Sequence, residues 1–164
     1  MAQSAALEAS FIQALRRLAA TPCVLAARGG DGRAVGMTAT AVTALSLEPV
    51  SLLVSVNRSR SLHGLLTPRD CFSVNLLDES SADLCQAFAG SVAQDERFAA
   101  GRWQDDAQGT PCLAGVVSLS CRVDAAFDYG AHTVIAAAVQ EVRLEARGGP
   151  VAYAQGALHR LAEL

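Results

Sequence analysis

The stretch Gly36 to Ser61, GMTATAVTALSLEPVSLLVSVNRSRS, carries the side chains best suited to holding a small molecule. Thr38, Thr40, Thr43 and Ser46 bring hydroxyls to a segment that otherwise reads as a strand. Small residues, Ala39 and Ala41 among them, let a flat ligand approach the backbone closely, and hydroxyls hydrogen-bond its polar edge. Asn57-Arg58-Ser59-Arg60-Ser61 then precedes a short helical pattern, Leu62 to Leu66, with Ser59 or Ser61 as its N-cap. Free N–H groups at a helix start, two hydroxyls and two guanidinium groups suit a phosphate or pyrophosphate. An edge hairpin with solvated arginines accounts for the same residues equally well.

Other chemistry is sparse. His63, His132 and His159 lie far apart with no carboxylates at fixed offsets, so no metal is expected. Cys23, Cys71, Cys85, Cys112 and Cys121 are odd in number and lack CxxC spacing, which argues against a zinc site or a disulfide framework. Reduced cytosol, hence a cytoplasmic location, is the default. Gly29-Gly30-Asp31-Gly32 lacks the spacing of a phosphate-binding loop and reads as a hairpin turn. The net charge of −3 gives no electrostatic case for nucleic acid, and no apolar run reaches the ~20 residues of a membrane helix.

The elements that must position these residues are mostly strands. Ser4 to Ala20 reads as a helix, ended by Thr21-Pro22. Strands are expected over Cys23 to Ala27, Arg33 to Thr38, Cys71 to Leu77, His132 to Glu145 and near Val151 to Ala157. Gly36 to Ser61 reads as two extended segments, the first MTATAVTALS (Met37 to Ser46), with a tight connection at Glu48-Pro49 and a polar, doubly basic corner after them. Val117 to Phe127 alternates, with Val117, Leu119, Cys121, Val123, Ala125 and Phe127 inward and Ser118, Ser120, Arg122 and Asp124 outward. Asp78 to Ala89 has helical character, stopped by Gly90, and 91–110 reads as a long loop anchored by Phe98 and Trp103. Many strands with short links and few helices argue for a closed or nearly closed antiparallel barrel in one domain over 1–164.

GMTATAVTALSLEPVSLLVSVNRSRS resembles the flavin reductase-like, FMN-binding split-barrel family, the reductase partners of two-component flavin monooxygenases. FSVNLL at Phe72 to Leu77, FAG at Phe88 to Gly90 and GAHTVI at Gly130 to Ile135 extend the match, with VAYAQGALHRL a weaker one. Together they cover about Ala19 to Leu161. The resemblance implies a mainly β, antiparallel Greek-key split β-barrel with a few peripheral helices, including one over 1–20. It implies a homodimer that transfers hydride from NADH or NADPH to FMN, with FAD as another acceptor, and passes reduced flavin to a partner monooxygenase.

By the same resemblance Met37, Thr38, Ala39, Thr40 and Ala41 line the flavin slot, and Asn57, Arg58, Ser59, Arg60 and Ser61 hold the ribityl-phosphate end. Asn75 or Phe88-Ala89-Gly90 closes the pocket, and His159 lies near the opposite subunit's flavin. His132 contacts the nicotinamide cofactor. As residues alone, Asn75 reads equally as a strand residue bonding a turn, Phe88 as core, and His132 as bonded to a backbone carbonyl. The family carries Gly-Asp-His where this chain has Gly130-Ala131-His132. That departure keeps two further readings open: a flavin-binding protein that is not a reductase, and a related oxidoreductase with another acceptor, such as a corrinoid.

Overall fold

A computed structural model describes residues 2–163. Helix α1 is Ala2–Leu15, followed by strands β1 (Cys23–Arg28), β2 (Ala34–Ala39), β3 (Val42–Leu47), β4 (Val50–Asn57) and β5 (Cys71–Leu76). After the short helix α2 (Asp83–Gln86) come β6 (Trp103–Asp105), β7 (Pro111–Leu113), β8 (Val117–Tyr129), β9 (His132–Leu144), β10 (Val151–Ala154) and β11 (Ala157–Arg160).

Seven strands form one antiparallel sheet in the order β2-β1-β5-β8-β9-β4-β3. Strands β2 and β3 lie at its opposite ends, yet only Thr40 and Ala41 separate them. Laid flat, six strand spacings would hold them about 28 Å apart. The chain from Ala39 to Val42 can reach only about 11 Å. The sheet must therefore curl, and the β3–β4 ladder runs right up to the corner, where Ser55 N–H donates to the carbonyl of Ala41 at 3.0 Å. The expected single segment MTATAVTALS is thus two strands with a corner between them.

The curled sheet encloses a core that includes Leu25, Val54, Val56, Phe72, Val74 and Ile135. A second cluster lies on the other face of β1: Val24, Leu77, Leu84, Phe88, Leu113 and Val116, with Phe98 and Trp103 packed against it. Helix α2 and the β6–β7 hairpin supply this outer layer, so the segment expected to be a loop over 91–110 is partly structured. Arg28 fastens it, pairing with Asp105 and donating from Nε to the carbonyl of Gly109 at 2.8 Å.

The outer layer corrects the alternation read for β8. Ser118 and Ser120, expected outward, are buried. The ladder also shifts between Ser120 and Cys121, as a β-bulge does. Ala125 and Phe127, expected inward, are exposed where β8 runs past the core. Helix α1 ends at Leu15 rather than Ala20. Only Asp83–Gln86 of the segment from Asp78 is α-helical; a wider turn over Ala87–Ser91 follows, containing Gly90 at φ 123°. Ser61–Leu65 is a 3-10 turn that neither Ser59 nor Ser61 caps.

Among the described residues, no helix is long and apolar enough to cross a membrane. Nor does any group of three or more His, Cys, Asp and Glu side chains come together as a metal site would require.

Asn75 joins the two layers. It is fully buried, and its amide donates to the carbonyl of Val24 and to Ser73 Oγ, both at 2.9 Å. Its Oδ1 accepts from the backbone N–H of Leu113 at 2.8 Å and from the Ser118 hydroxyl at 2.5 Å. From β5 the side chain thus reaches β1 through Val24, the β6–β7 hairpin through Leu113 and β8 through Ser118, while the Ser73 bond fixes its own orientation. The expectation that Asn75 closes a ligand pocket is therefore overturned: none of its polar atoms is left for a ligand. Asn75→Leu leaves several buried partners unpaired, which costs about 3 kcal/mol. Calorimetry should show melting lowered by roughly 6–12 °C.

Candidate functional site

A shallow slot of about 230 Å³ opens beside the barrel seam. It is lined by Met37 to Thr40 of β2 and the corner after it, by Cys85, Gln86, Phe88 and Ala89 of the segment packed on β2, and by Tyr153 and Arg60. Gly36 explains how the helix segment comes so close to β2. A Cβ at Gly36 would lie 2.7 Å from Phe88 Cε1 and 3.1 Å from Phe98 Cζ. The first is shorter than packed carbons tolerate and the second is tight, so a side chain at Gly36 would force Phe88 away from the strand. Phe88 in turn meets Phe98 edge to face at 5.1 Å and Trp103 at 5.4 Å.

Hydroxyl groups here are partly committed. Thr38 donates its one proton to the carbonyl of Cys85 at 2.7 Å, tying β2 to α2. Thr40 is exposed, leaving its hydroxyl and the strand backbone to face a ligand edge. Cys85 is buried, and burial pushes its thiol pKa up. Cys23 is pushed to about 12 by burial and by the neighbouring Cys85. Neither thiol is a nucleophile at neutral pH.

Of the corner from Asn57 to Ser61, the structure brings only Arg60 to the slot. Asn57 Oδ1 accepts from the backbone N–H and hydroxyl of Ser59 at 2.9 and 2.8 Å, which shapes the turn. Arg58 points to the β8–β9 turn, 3.7 Å from Asp128 and 3.4 Å from the Gly130 carbonyl. Arg60 makes no ion pair among the described residues. Ser61 faces Gln94 rather than the slot, with 3.5 Å between Oγ and Oε1.

The remaining expected residues divide. Met37, Thr38, Ala39, Thr40, Phe88 and Ala89 line the slot, whereas Ala41 and Gly90 lie just beyond it. His132 is exposed at the start of β9 opposite Asn57, outside the slot. His159 Nε2 lies 3.1 Å from the carbonyl of Ala154 in the β10–β11 hairpin, also outside. His63 is half-buried, with Nε2 2.8 Å from Thr133 Oγ1. The Thr133 hydroxyl donates to Asp128 at 2.6 Å, so its oxygen must accept a proton from His63 Nε2.

Sequence reasoning missed Cys85, Gln86 and Tyr153. Only Tyr153 had a signal, as the one aromatic of the C-terminal strands.

A flat ligand suits such a slot: backbone and small side chains of β2, an aromatic-backed segment packed on it, and a guanidinium in the lining that makes no ion pair among the described residues. These are the demands of a flavin mononucleotide, whose ring is flat and largely apolar and whose tail is a phosphate. Residues 15–162 match the family described as flavin reductase like domain. The chain belongs to that family.

The flavin reductase-like domain here is 40% identical, over 146 residues, to the reductase component of an FADH(2)-dependent resorcinol hydroxylase from Rhizobium sp. (strain MTP-10005). That match covers 88% of this chain and 82% of the relative. It is 36% identical over 148 residues to an FMN reductase (NADH) RutF 1 of Methylorubrum extorquens, covering 90% of this chain and 73% of the relative. Among solved structures, the styrene monooxygenase flavin reductase of Pseudomonas putida S12 superposes with a TM-score of 0.83 at 28% identity, covering 94% and 98% of the two chains. The split-barrel architecture expected from the sequence is the fold observed.

Tyr153 depends on a clamp at Asp78. The carboxylate accepts from the N–H of Ser80 and of Gly148, both at 2.9 Å, and from the hydroxyls of Ser80 and Ser81. Glu79 N–H donates to the Gly149 carbonyl at 3.0 Å, so this knot holds the entry to β10. Burial alone would raise the Asp78 pKa, but the hydroxyl and N–H bonds outweigh it and hold the carboxyl below the usual carboxylate range. A depressed folded pKa adds stability above the unfolded value of about 3.9, lost as pH falls through the folded value. The stability difference between wild type and Asp78→Asn, measured by urea unfolding, should be full at pH 6 to 7 and shrink below about pH 4.

Proposed function

We propose that this protein transfers hydride from NADH or NADPH to FMN lying in the slot and releases the reduced flavin to a partner oxygenase. One observation carries the reading: a flat small-residue slot ends at the unpaired guanidinium of Arg60, in a chain that is 36% identical to an NADH-dependent FMN reductase. The bound flavin supplies the hydride-accepting ring, and the chain's residues orient it. Met37 to Thr40 and Phe88 set the plane of the ring, and Arg60 fixes its phosphate end. Thr38 keeps the two walls at fixed separation through its bond to Cys85. Among the described residues no buried acid–base pair faces the slot, and hydride transfer between two aligned cofactors requires none.

A homodimer completes the site in this reading. One chain offers about 230 Å³, below the ~300–1,000 Å³ that usually encloses a small ligand. Leu47 and Val50 at the β3–β4 turn and Phe127, Tyr129 and Leu144 on β8 and β9 are exposed apolar groups that a second copy would cover. Sedimentation equilibrium should give twice the chain mass; a monomer at micromolar concentration would remove this part of the proposal.

Arg60 and Arg58 separate the phosphate assignment cleanly. Arg60→Ala should weaken FMN about tenfold while leaving riboflavin affinity unchanged, whereas Arg58→Ala, already engaged with Asp128, should alter neither much. Flavin fluorescence quenching measures both; equal effects on FMN and riboflavin would sink the assignment. His132→Ala should raise the KM for the nicotinamide donor and leave flavin affinity intact. A donor KM that stays put would remove His132 from the donor site.

A further inference from the structure

Arg60 stands just before a weak element, the 3-10 turn Ser61–Leu65, whose start no side chain caps. Short 3-10 turns have poor hydrogen-bond geometry and hold little by themselves. Leu62 is buried in the barrel core and anchors the turn, but apolar contact is non-directional and does not fix its orientation. Two backbone bonds hold Arg60 itself. Its N–H donates to the Asn57 carbonyl, and its own carbonyl accepts from the His63 N–H, both at 3.0 Å. The placement of Arg60 therefore follows that of His63.

His63 is pinned in turn by its side chain. Nε2–H donates to Thr133 Oγ1 at 2.8 Å, and the Thr133 hydroxyl donates to Asp128 Oδ1 at 2.6 Å. Thr133 is 5% exposed, on β9 beside Val56 of β4. Asp128 lies 3.7 Å from the Arg58 guanidinium, and the Arg58 N–H donates to the carbonyl of Ala131 at 2.9 Å. The chain of bonds thus leaves the turn after β4, crosses β9 to the β8–β9 turn, and returns to the corner it left. The other side-chain tie of this turn, from Ser61 Oγ to Gln94 Oε1, is longer at 3.5 Å.

Each proton in the chain has one place to go. The Asp128 carboxylate only accepts, so the single hydroxyl proton of Thr133 points to it and a lone pair faces His63. Nε2 keeps its proton whether the imidazole is neutral or charged, so the chain persists in both states. No member of it lines the slot. It bears on a ligand through the residue it holds.

We propose that His63, Thr133 and Asp128 are positioning residues for the flavin phosphate, fixing the turn that presents Arg60; this rests on the reading of Arg60 as the phosphate ligand. A guanidinium on a long side chain gives up rotamer freedom when it binds, and a loose turn would add backbone freedom to that cost. The chain removes the second part. Its effect falls on the phosphate rather than the ring, because Met37 to Thr40 and Phe88 belong to β2, the corner after it and the segment packed on β2.

Three variants test the chain. Thr133→Val keeps the shape and removes the hydroxyl, His63→Phe keeps a ring and removes the donor, and Thr133→Ser keeps the hydroxyl. Fluorescence quenching gives the affinities for FMN and riboflavin, whose ratio isolates the phosphate. Thr133→Val and His63→Phe should each lower that ratio about fivefold, and the double variant no further, because both break one chain. Thr133→Ser should keep the ratio, and with Arg60→Ala as background neither breaking variant should change it. Proton NMR should show a slowly exchanging His63 Nε2–H in the wild type that Thr133→Val loses. His63 is half-buried, so His63→Phe keeps the test decisive should Thr133→Val fail to fold. A general loosening of the barrel would weaken FMN and riboflavin together and leave the ratio intact, which overturns the proposal. A loss of ratio that persists without Arg60 overturns it too. Failure of the underlying reading looks different: the wild type then binds FMN no better than riboflavin, and the proposal falls with it.

Discussion

The two-residue link at Thr40-Ala41 is the constraint on which the architecture turns. It joins strands from opposite ends of a seven-stranded sheet, so the sheet cannot remain open. Closure draws the end of β2 toward the turn that follows β4, because β3 and β4 are paired as a hairpin. Those are the two places that supply Met37 to Thr40 and Arg60. The slot is thus a by-product of topology: it forms where the sheet is joined, where backbone lies closest to the surface and side chains are smallest. A hydroxyl-rich strand suits such a seam better than a β-branched one, since larger side chains would fill the space a flat ligand needs.

Closure alone leaves the outer wall of the slot unsupported. That wall comes from the second layer, in which Phe88, Phe98 and Trp103 form one aromatic cluster resting on Gly36. Asn75 fastens the β6–β7 hairpin of that layer through Leu113, and Asp78 fastens the turn into β10, each with four side-chain hydrogen bonds in all. Both are polar groups taken out of water, and such groups are tolerated only when nearly every bonding site is used. Their saturation marks them as structural. Arg60 shows the opposite pattern, with no ion pair among the described residues, as the phosphate-holding role proposed for it requires.

Much of this was legible before any coordinates. The strands β1, β5, β8 and β9, the Gly29–Arg33 turn and the barrel follow from alternation and turn chemistry, and the slot wall from the small hydroxyl-bearing stretch. The failures share a physical origin. Asn75, Ser118 and Ser120 were misjudged because a strand with both faces covered carries polar residues inward when a bonding network receives them. Asn57, Ser59 and Arg58 have the composition of a phosphate site, but a short turn consumes its own polar groups, and nothing in residue type distinguishes an arginine already paired with Asp128 from one left free. Tyr153 reaches the slot only through a hairpin more than a hundred residues along the chain, which no local pattern encodes.

Chemistry in this fold is confined by what the side chains cannot do. Burial keeps the thiols of Cys23, Cys85 and Cys121 protonated, and His63 is held to Thr133 in a chain that ends at Asp128. The residues around the slot thus offer alignment rather than proton transfer, which suits a reaction whose electrons move between two cofactors. A reductase that hands on its product must also let it go. On the proposed reading, one chain's slot of about 230 Å³ covers only part of a flavin, so Arg60 carries a large share of what that chain contributes to the affinity. In the proposed reaction that division is useful: the phosphate contact selects the flavin, while the shallow ring contact leaves it free to depart once reduced. A deeper pocket would hold the same molecule as a prosthetic group and end the supply to a partner enzyme.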